Sequence, residues 1–236
     1  MRSQFEIQIL FEMTYNSLFG SMVSLLFLSS FLVAIGQSTS TAESPSSISS
    51  GYYHTCVLEQ RQGIDRGGGV RCFGQTHGEA PPGIFKKVSS GNLFSCALRI
   101  DNTVSCWGTI HGTPENTRFK SLSSGRAHAC GIRMDGSILC WGESHHGEID
   151  APTGQYKQVS CGNSITCGLS NGGSVTCFGK IHGMEVPSDN SFIQISAGQK
   201  QRICGILSKG DVKCWGSSRR DKSCESKEGK KIFLLF

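Results

Sequence analysis

The sequence predicts an all-β domain of β-propeller-like repeats, with five blades visible between residues 51 and 216. Three observations lead there. Ten of the twelve cysteines fall into five pairs: Cys56/Cys72, Cys96/Cys106, Cys130/Cys140, Cys167/Cys177 and Cys204/Cys214. In the last four pairs the second cysteine follows the first by ten residues and precedes Trp-Gly or Phe-Gly. The first cysteines recur at intervals of 40, 34, 37 and 37 residues, and periods of this size belong to propellers and solenoids. Thirty glycines among 236 residues, with few long apolar runs, favour many short strands joined by turns over helices.

The chain opens with a segment of a different kind. Met22–Ile35 is a fourteen-residue apolar run, short for a membrane span and of the right length for a signal-peptide core. Ala34 and Gly36 supply small residues that place cleavage before Gln37, giving a signal peptide over 1–36. The preceding stretch has a net charge of −1 where a basic region is expected, which leaves Met22 as an alternative start and an uncleaved anchor as an alternative reading. Residues 37–50 are rich in Ser and Thr without apolar periodicity and read as a flexible lead-in. No later apolar stretch is long enough to span a bilayer. Residues 217–236 form a basic tail with six basic and three acidic side chains. Losing 1–36 removes one basic and two acidic residues, which raises the formal charge from +5 to +6. Such a charge serves solubility before it argues for an acidic partner.

Units two to five each begin with a short strand that ends in a small-residue corner: Phe85–Gly91, Phe119–Gly125, Tyr156–Gly162 and Phe192–Gly198. The aromatic precedes the glycine by six residues in all four. The first unit shows no such opening strand. A hairpin follows, turning at Asp101-Asn102, Asp135-Gly136, Asn171-Gly172-Gly173 and Lys209-Gly210-Asp211, residues that tolerate positive φ. Folding each hairpin about its turn sets its two cysteines directly opposite, roughly 4.5–5.5 Å apart between Cα atoms, within reach of a disulfide. The first unit carries an insertion, Arg61–Gly69, at this turn, which lengthens the loop and leaves the pairing intact. Radial packing explains the small corners, where inner strands converge. It also assigns Phe73, Trp107, Trp141, Phe178 and Trp215 to the space between sheets.

This pattern, aromatic-x-x-aliphatic-Ser-x-Gly, then His-x-Cys (His54–Cys56, His128–Cys130), a turn and Val-x-Cys-Trp-Gly, resembles the repeats of the regulator-of-chromosome-condensation / β-lactamase-inhibitor-II superfamily. The cysteine-paired form behind a signal segment resembles the ectodomains of crinkly-type plant receptor kinases and secreted bacterial repeat proteins. The resemblance covers about 46–216 and implies a propeller. Rings of that family usually close with seven blades, so five units leave a five-bladed ring, an open arc and a fragment as alternatives. No kinase signature follows the repeats.

Ten-residue spacing across a hairpin is wrong for zinc, whose cysteine ligands typically lie two to four residues apart, and right for disulfides in an oxidising compartment. Two cysteines remain. Cys161 stands at the corner position held elsewhere by Ser90, Ser124 and Ala197, and Cys224 lies in the tail. Their even number suggests a Cys161–Cys224 bridge, with a small buried filler as the alternative for Cys161. His-Gly recurs at His77, His111, His146 and His182, a few residues after each Trp/Phe-Gly. These histidines are candidate binding-face residues on equivalent loops, too far apart for one metal ion but able to respond to pH. The alternative is a copied turn that needs its glycine.

Catalytic motifs, phosphate loops and paired carboxylates are lacking, and no basic stripe with exposed aromatics points to nucleic acid. The sequence therefore predicts a secreted or cell-surface recognition module that binds a protein or peptide through its loops, with no cofactor, no metal and no enzymatic activity. An inhibitor of a secreted enzyme and a truncated receptor ectodomain are the alternatives. A cytosolic exchange factor or chromatin binder, the wider superfamily's roles, fits poorly with paired cysteines behind a signal-like segment.

Overall fold

A computed structural model describes residues 47–60, 67–181, 183–188, 191–198 and 201–216. The signal segment, most of the lead-in, the tail with Cys224, and His182 lie outside the described residues.

Among the described residues, fifteen strands form five three-stranded antiparallel units in chain order, the first two joined into one six-stranded sheet. Blade 1 holds β1 (Ile48–Ser50), β2 (His54–Gln60) and β3 (Gly68–Gly74); blade 2 holds β4 (Phe85–Ser90), β5 (Phe94–Arg99) and β6 (Val104–Gly108). Blade 3 is β7 (Phe119–Ser124), β8 (His128–Arg133) and β9 (Ile138–Gly142), and blade 4 is β10 (Tyr156–Cys161), β11 (Ile165–Ser170) and β12 (Val175–Gly179). Blade 5 comprises β13 (Phe192–Ala197), β14 (Arg202–Leu207) and β15 (Val212–Gly216). The first unit thus does have an opening strand. Ser49 pairs with Cys56 as Ser89 pairs with Cys96, so Ile48–Ser50 belongs to blade 1 and not to the lead-in. It escapes the sequence pattern because Pro45 stands where the other units carry an aromatic.

The turns form as their residues dictate. Asn102, Gly136, Gly173 and Gly210 have φ of 74°, 90°, 88° and 91°. In two turns an aspartate closes the loop: Thr103 and Ser137 each donate from N–H and hydroxyl to the carboxylate of Asp101 and Asp135.

Within each hairpin the paired cysteines are register partners: Cys56 with Cys72, Cys96 with Cys106, Cys130 with Cys140, Cys167 with Cys177 and Cys204 with Cys214. All five pairs are disulfide-bonded. Their Cα atoms lie 4.0–4.1 Å apart, closer than the expected opposition, because the covalent bridge draws the two strands together. The two halves of a bridge are unequally covered. Cys130 and Cys167, on middle strands, are fully buried, whereas Cys140 on β9 is half-buried and Cys177 on β12 keeps slight exposure. A middle strand has a neighbour on each side, and β9 and β12 are edge strands.

Strand alternation puts every bridge on the same face of its blade. That forward face carries Cys56, Leu58, Val70 and Cys72 in blade 1, and it packs on the rear face of blade 2, formed by Phe85, Val88, Ala97 and Trp107. The next three junctions repeat the arrangement. Cys96, Cys106 and Leu98 meet Phe119, Leu122 and Trp141. Cys130, Cys140 and Ile132 meet Tyr156, Val159 and Phe178. Cys167, Cys177 and Leu169 meet Phe192, Ile195 and Trp215.

Each opening aromatic lies over a small residue on its neighbouring strand. A methyl group on Gly131 would come within 2.4 Å of the Phe119 ring. The first blade lacks that aromatic and carries Val57 at the corresponding position, opposite Ile48. Polar latches tie successive blades at both ends. The amides of Ser90, Ser124, Cys161 and Ala197 donate to the hydroxyls of Ser49, Ser89, Ser123 and Ser160 on the preceding blade. At the turn end, the amides of Phe119, Tyr156 and Phe192 donate to the carbonyls of Asn102, Gly136 and Gly173. The insertion in blade 1 supplies the missing member, with Gly68 bridging to Phe85.

Packing runs from each blade to the next, and among the described residues the first and last sheets do not join into a ring. This explains one departure from the sequence reading. Phe73 does not fill an inter-sheet space: it is 54% exposed while its counterpart Trp141 is 3% exposed, because among the described residues no strand packs on that face of the first blade. Among the described residues no helix is long and apolar enough to cross a membrane.

Candidate functional site

After each corner glycine the chain makes a two-residue turn into the second strand: Tyr52-Tyr53, Asn92-Leu93, Arg126-Ala127 and Asn163-Ser164. Backbone bonds between blades hold these turns in a row. The amide of Tyr52 donates to Gly91 O at 3.2 Å, Asn92 N–H to Arg126 O at 3.1 Å, and Arg126 N–H to Gly162 O at 3.1 Å. Only glycine fits at the corners themselves, since a Cβ on Gly51, Gly91, Gly125 or Gly162 would meet the next blade's glycine carbonyl at 2.3–2.7 Å. The row is therefore a rigid backbone platform carrying variable side chains.

Two recesses open along it. One of about 310 Å³ is lined by Tyr52, Tyr53, Asn92, Arg126 and Asn163. The other, of about 200 Å³, adds Thr109, Glu143, His145 and Glu148 to the same turns. Tyr52 and Tyr53 are exposed, edge to face, with ring centroids 4.5 Å apart. The acids are already engaged. Glu148 is buried and accepts from the amides of His145 and His146. Burial pushes its carboxyl up, but those amides, its own amide and the His128 charge together hold it below its ordinary value. Glu143 lies 3.4 Å from the His145 ring. Arg126 forms no ion pair among the described residues, so the row offers a cation, two amides and two phenols to a ligand.

Behind the row, two buried histidines join blades. His54 Nε2 lies 2.7 Å from Ser95 Oγ, which donates onward to Ser90 Oγ. His128 Nε2 lies 2.8 Å from Thr166 Oγ1, which donates to Glu148 O. The Thr166 hydroxyl proton is thus committed, so Nε2 of His128 is its protonated nitrogen, and the Nδ1 atoms of both histidines are left without a partner. Burial drives the His128 pKa down to about 4, against the pull of Glu148. Burial also lowers that of His54, helped by the His77 charge and opposed by a hydrogen bond with the Phe94 backbone. The corresponding positions at the other two junctions are apolar, Phe94 on Ala129 and Ile165 on Ile203. Polar meets polar and apolar meets apolar at every junction.

His77, His111 and His146 are exposed, each on the loop of a different blade. Those loops leave the turn row, anchored by amides of Gln75, Thr109 and Glu143 on the carbonyls of Tyr53, Leu93 and Ala127. Their following glycines have positive φ, 115° at Gly78, 69° at Gly112 and 83° at Gly147, so the copied His-Gly turn has a backbone requirement. It is His145, the neighbour of His146, that lines a recess. Cys161 is a free, buried thiol, and Cys224, its expected partner, lies outside the described residues. The corner encloses it among Thr166, Ser123 and Cys130, and burial pushes its pKa up to about 12. His128, Cys130 and Cys161 cluster closely enough to suggest a metal site, but Cys130 is consumed by its disulfide to Cys140. Sequence reasoning missed Tyr52, Tyr53, Asn92, Arg126 and Asn163. Their only signal is that they fill the variable pair after each corner glycine.

The repeat geometry agrees with a family match: residues 85–109, 119–148 and 156–180 match the regulator of chromosome condensation (RCC1) repeat. Blades 2, 3 and 4 carry RCC1 repeats. They are of the cysteine-paired type, one disulfide per blade. Among solved structures, this RCC1-repeat chain is similar to the CRINKLY WD40 ectodomain of the Arabidopsis thaliana receptor kinase ACR4, at 27% identity and TM-score 0.62, covering 72% of this chain and 64% of that one. It is also similar to the entire ectodomain of the Physcomitrella patens receptor kinase CR4, at 29% identity and TM-score 0.63, covering 72% and 49%. Yeast RCC1 (Prp20), solved with Kap60, shares the fold at 15% identity and TM-score 0.56, covering 72% and 55%. The chain spans less than two thirds of each relative's length. No curated protein matches the sequence.

Proposed function

We propose that the protein is an extracellular recognition module that binds a protein or peptide through the row of turns at Tyr52, Asn92, Arg126 and Asn163. The observation that carries this is the row itself: a backbone-locked platform whose side chains vary from blade to blade and surround two recesses. Such rigid scaffolds with variable turns suit recognition, and preorganised aromatic, amide and guanidinium groups lose little entropy on binding. Five disulfides and the likeness to two receptor-kinase ectodomains support an oxidising, extracellular setting. The exposed histidines His77, His111 and His146 border this end, within reach of a partner seated on the row.

The test is a displayed peptide library panned against the disulfide-intact protein. Selected peptides should lose at least about tenfold in affinity to Tyr52→Ala with Arg126→Ala, at an unchanged melting midpoint. Peptides that bind this variant as well as the parent would overturn the assignment of the site.

A further inference from the structure

The four junctions define a pair of complementary surfaces, and the arc leaves one of each without a partner among the described residues. The rear face of blade 1 presents Ile48 at 70% exposure and Phe73 at 54%, where Val88, Leu122, Val159 and Ile195 are each no more than 6% exposed and Trp141 is 3% exposed. The forward face of blade 5 presents Cys204, Ile206, Val212 and Cys214 only half-buried, whereas Cys56, Cys96, Cys130 and Cys167 are fully buried. Exposed apolar surface of this kind marks an interaction site. We propose that these two end faces pair between molecules, with blade 5 of one copy docking on blade 1 of a second copy. This rests on the fold and is independent of the turn-row reading.

A second copy is the occupant that the existing interfaces specify. Every junction in the chain is a forward face on a rear face, and a second molecule supplies the missing rear face in the register already used four times. The chemistry matches at two levels. At the latch position, Ser196 is exposed and stands where Ser49, Ser89, Ser123 and Ser160 accept an amide from the following blade; the amide at that register in blade 1 is that of Ser50. At the apolar positions, Ile206 and the Cys204–Cys214 bridge face Ile48 and Phe73. The rim is polar as in the formed junctions, the Arg71–Glu59 ion pair standing where blade 2 has Arg99 on Ser105. Two different patches meet, so the contact is heterologous: it closes into a ring of copies or extends into an open chain.

Sedimentation velocity of the full-length, disulfide-intact chain across a dilution series tests this. The expected result is mass rising with concentration, with Phe73→Lys and Ile206→Lys each weakening association at least about tenfold. An equimolar mixture of the two variants should form a dimer and stop there, because one intact face remains on each. Should Ile206→Lys lower the melting midpoint, Ser196→Arg blocks the same face from an exposed position. A wild type that stays monomeric overturns the proposal, and a lowered midpoint for Ile206→Lys in that monomer shows the face covered by the chain's own residues. Association that survives both variants, or a mixture that yields no dimer, overturns it equally.

Discussion

Acidification from pH 7 to pH 4 should destabilise the blade stack by about 3 kcal/mol through His128 alone. The ring is fully buried, with Nε2–H given to Thr166 and Nδ1 facing no acceptor beside Gly125. A second proton would bury an unpartnered charge, and the folded pKa accordingly falls to about 4 from 6.5. Between those values the unfolded chain binds the proton and the folded chain does not, so unfolding gains as pH falls. His128's contribution is intact above pH 6.5 and lost by about pH 4. The shift of roughly 2.5 units corresponds to about 3 kcal/mol and, for a domain of this size, a melting midpoint lower by roughly 6–12 °C. Thermal unfolding followed by circular dichroism from pH 7 to 4 measures it, with His128→Gln as the comparison. The glutamine amide can still donate to Thr166 but does not titrate, so subtracting the two profiles removes what Glu148 and the other carboxylates add. The variant should lose about 3 kcal/mol of pH dependence in this window. Parallel profiles for the two proteins would refute the reasoning.

Four further outcomes follow from the junctions. Reducing the five bridges should unfold the protein, since each closes a small loop and contributes about 2–3 kcal/mol by chain entropy; a midpoint unmoved by reductant in a thermal scan would contradict this. Trp141→Ala should cost about 3–5 kcal/mol in denaturant unfolding while Phe73→Ala costs under about 1 kcal/mol, although both occupy the same place in the repeat. Cys161→Ser should leave the midpoint unchanged within about 0.5 kcal/mol, because serine holds that corner in blades 2 and 3. The native thiol of Cys161 should resist alkylation until the protein is unfolded, as burial raises its pKa to about 12.

Much of the scaffold was legible because it is local and repeated. Strand alternation and turn chemistry are short-range, so Cys96 opposite Cys106, Cys130 opposite Cys140, Cys167 opposite Cys177 and the turns at Asn102 and Gly136 follow from spacing alone. Unequal cover within a bridge, as between Cys130 and Cys140, was not legible, since it depends on which strand lies at the edge of its sheet. Nor was β1: Ile48–Ser50 carries no opening aromatic, and its strand exists only through pairing with β2. The turn row was equally hidden. Tyr52, Asn92, Arg126 and Asn163 share no residue type, and their common feature is a backbone position that appears when neighbouring corners are placed side by side.

The sequence by itself determined the repeat, the five hairpin disulfides and the small corners, since each depends on residues within one unit. Tertiary structure alone decided what the units do to one another. It divided equivalent aromatics into buried Trp141 and exposed Phe73, and it left Cys161 a free thiol. It also made His54 and His128 joints between blades and left two complementary faces at the ends of the arc. The reason is physical. A repeat specifies the two faces of each blade, but burial depends on whether a neighbour is present, and that neighbour lies about forty residues away in the chain or in another molecule.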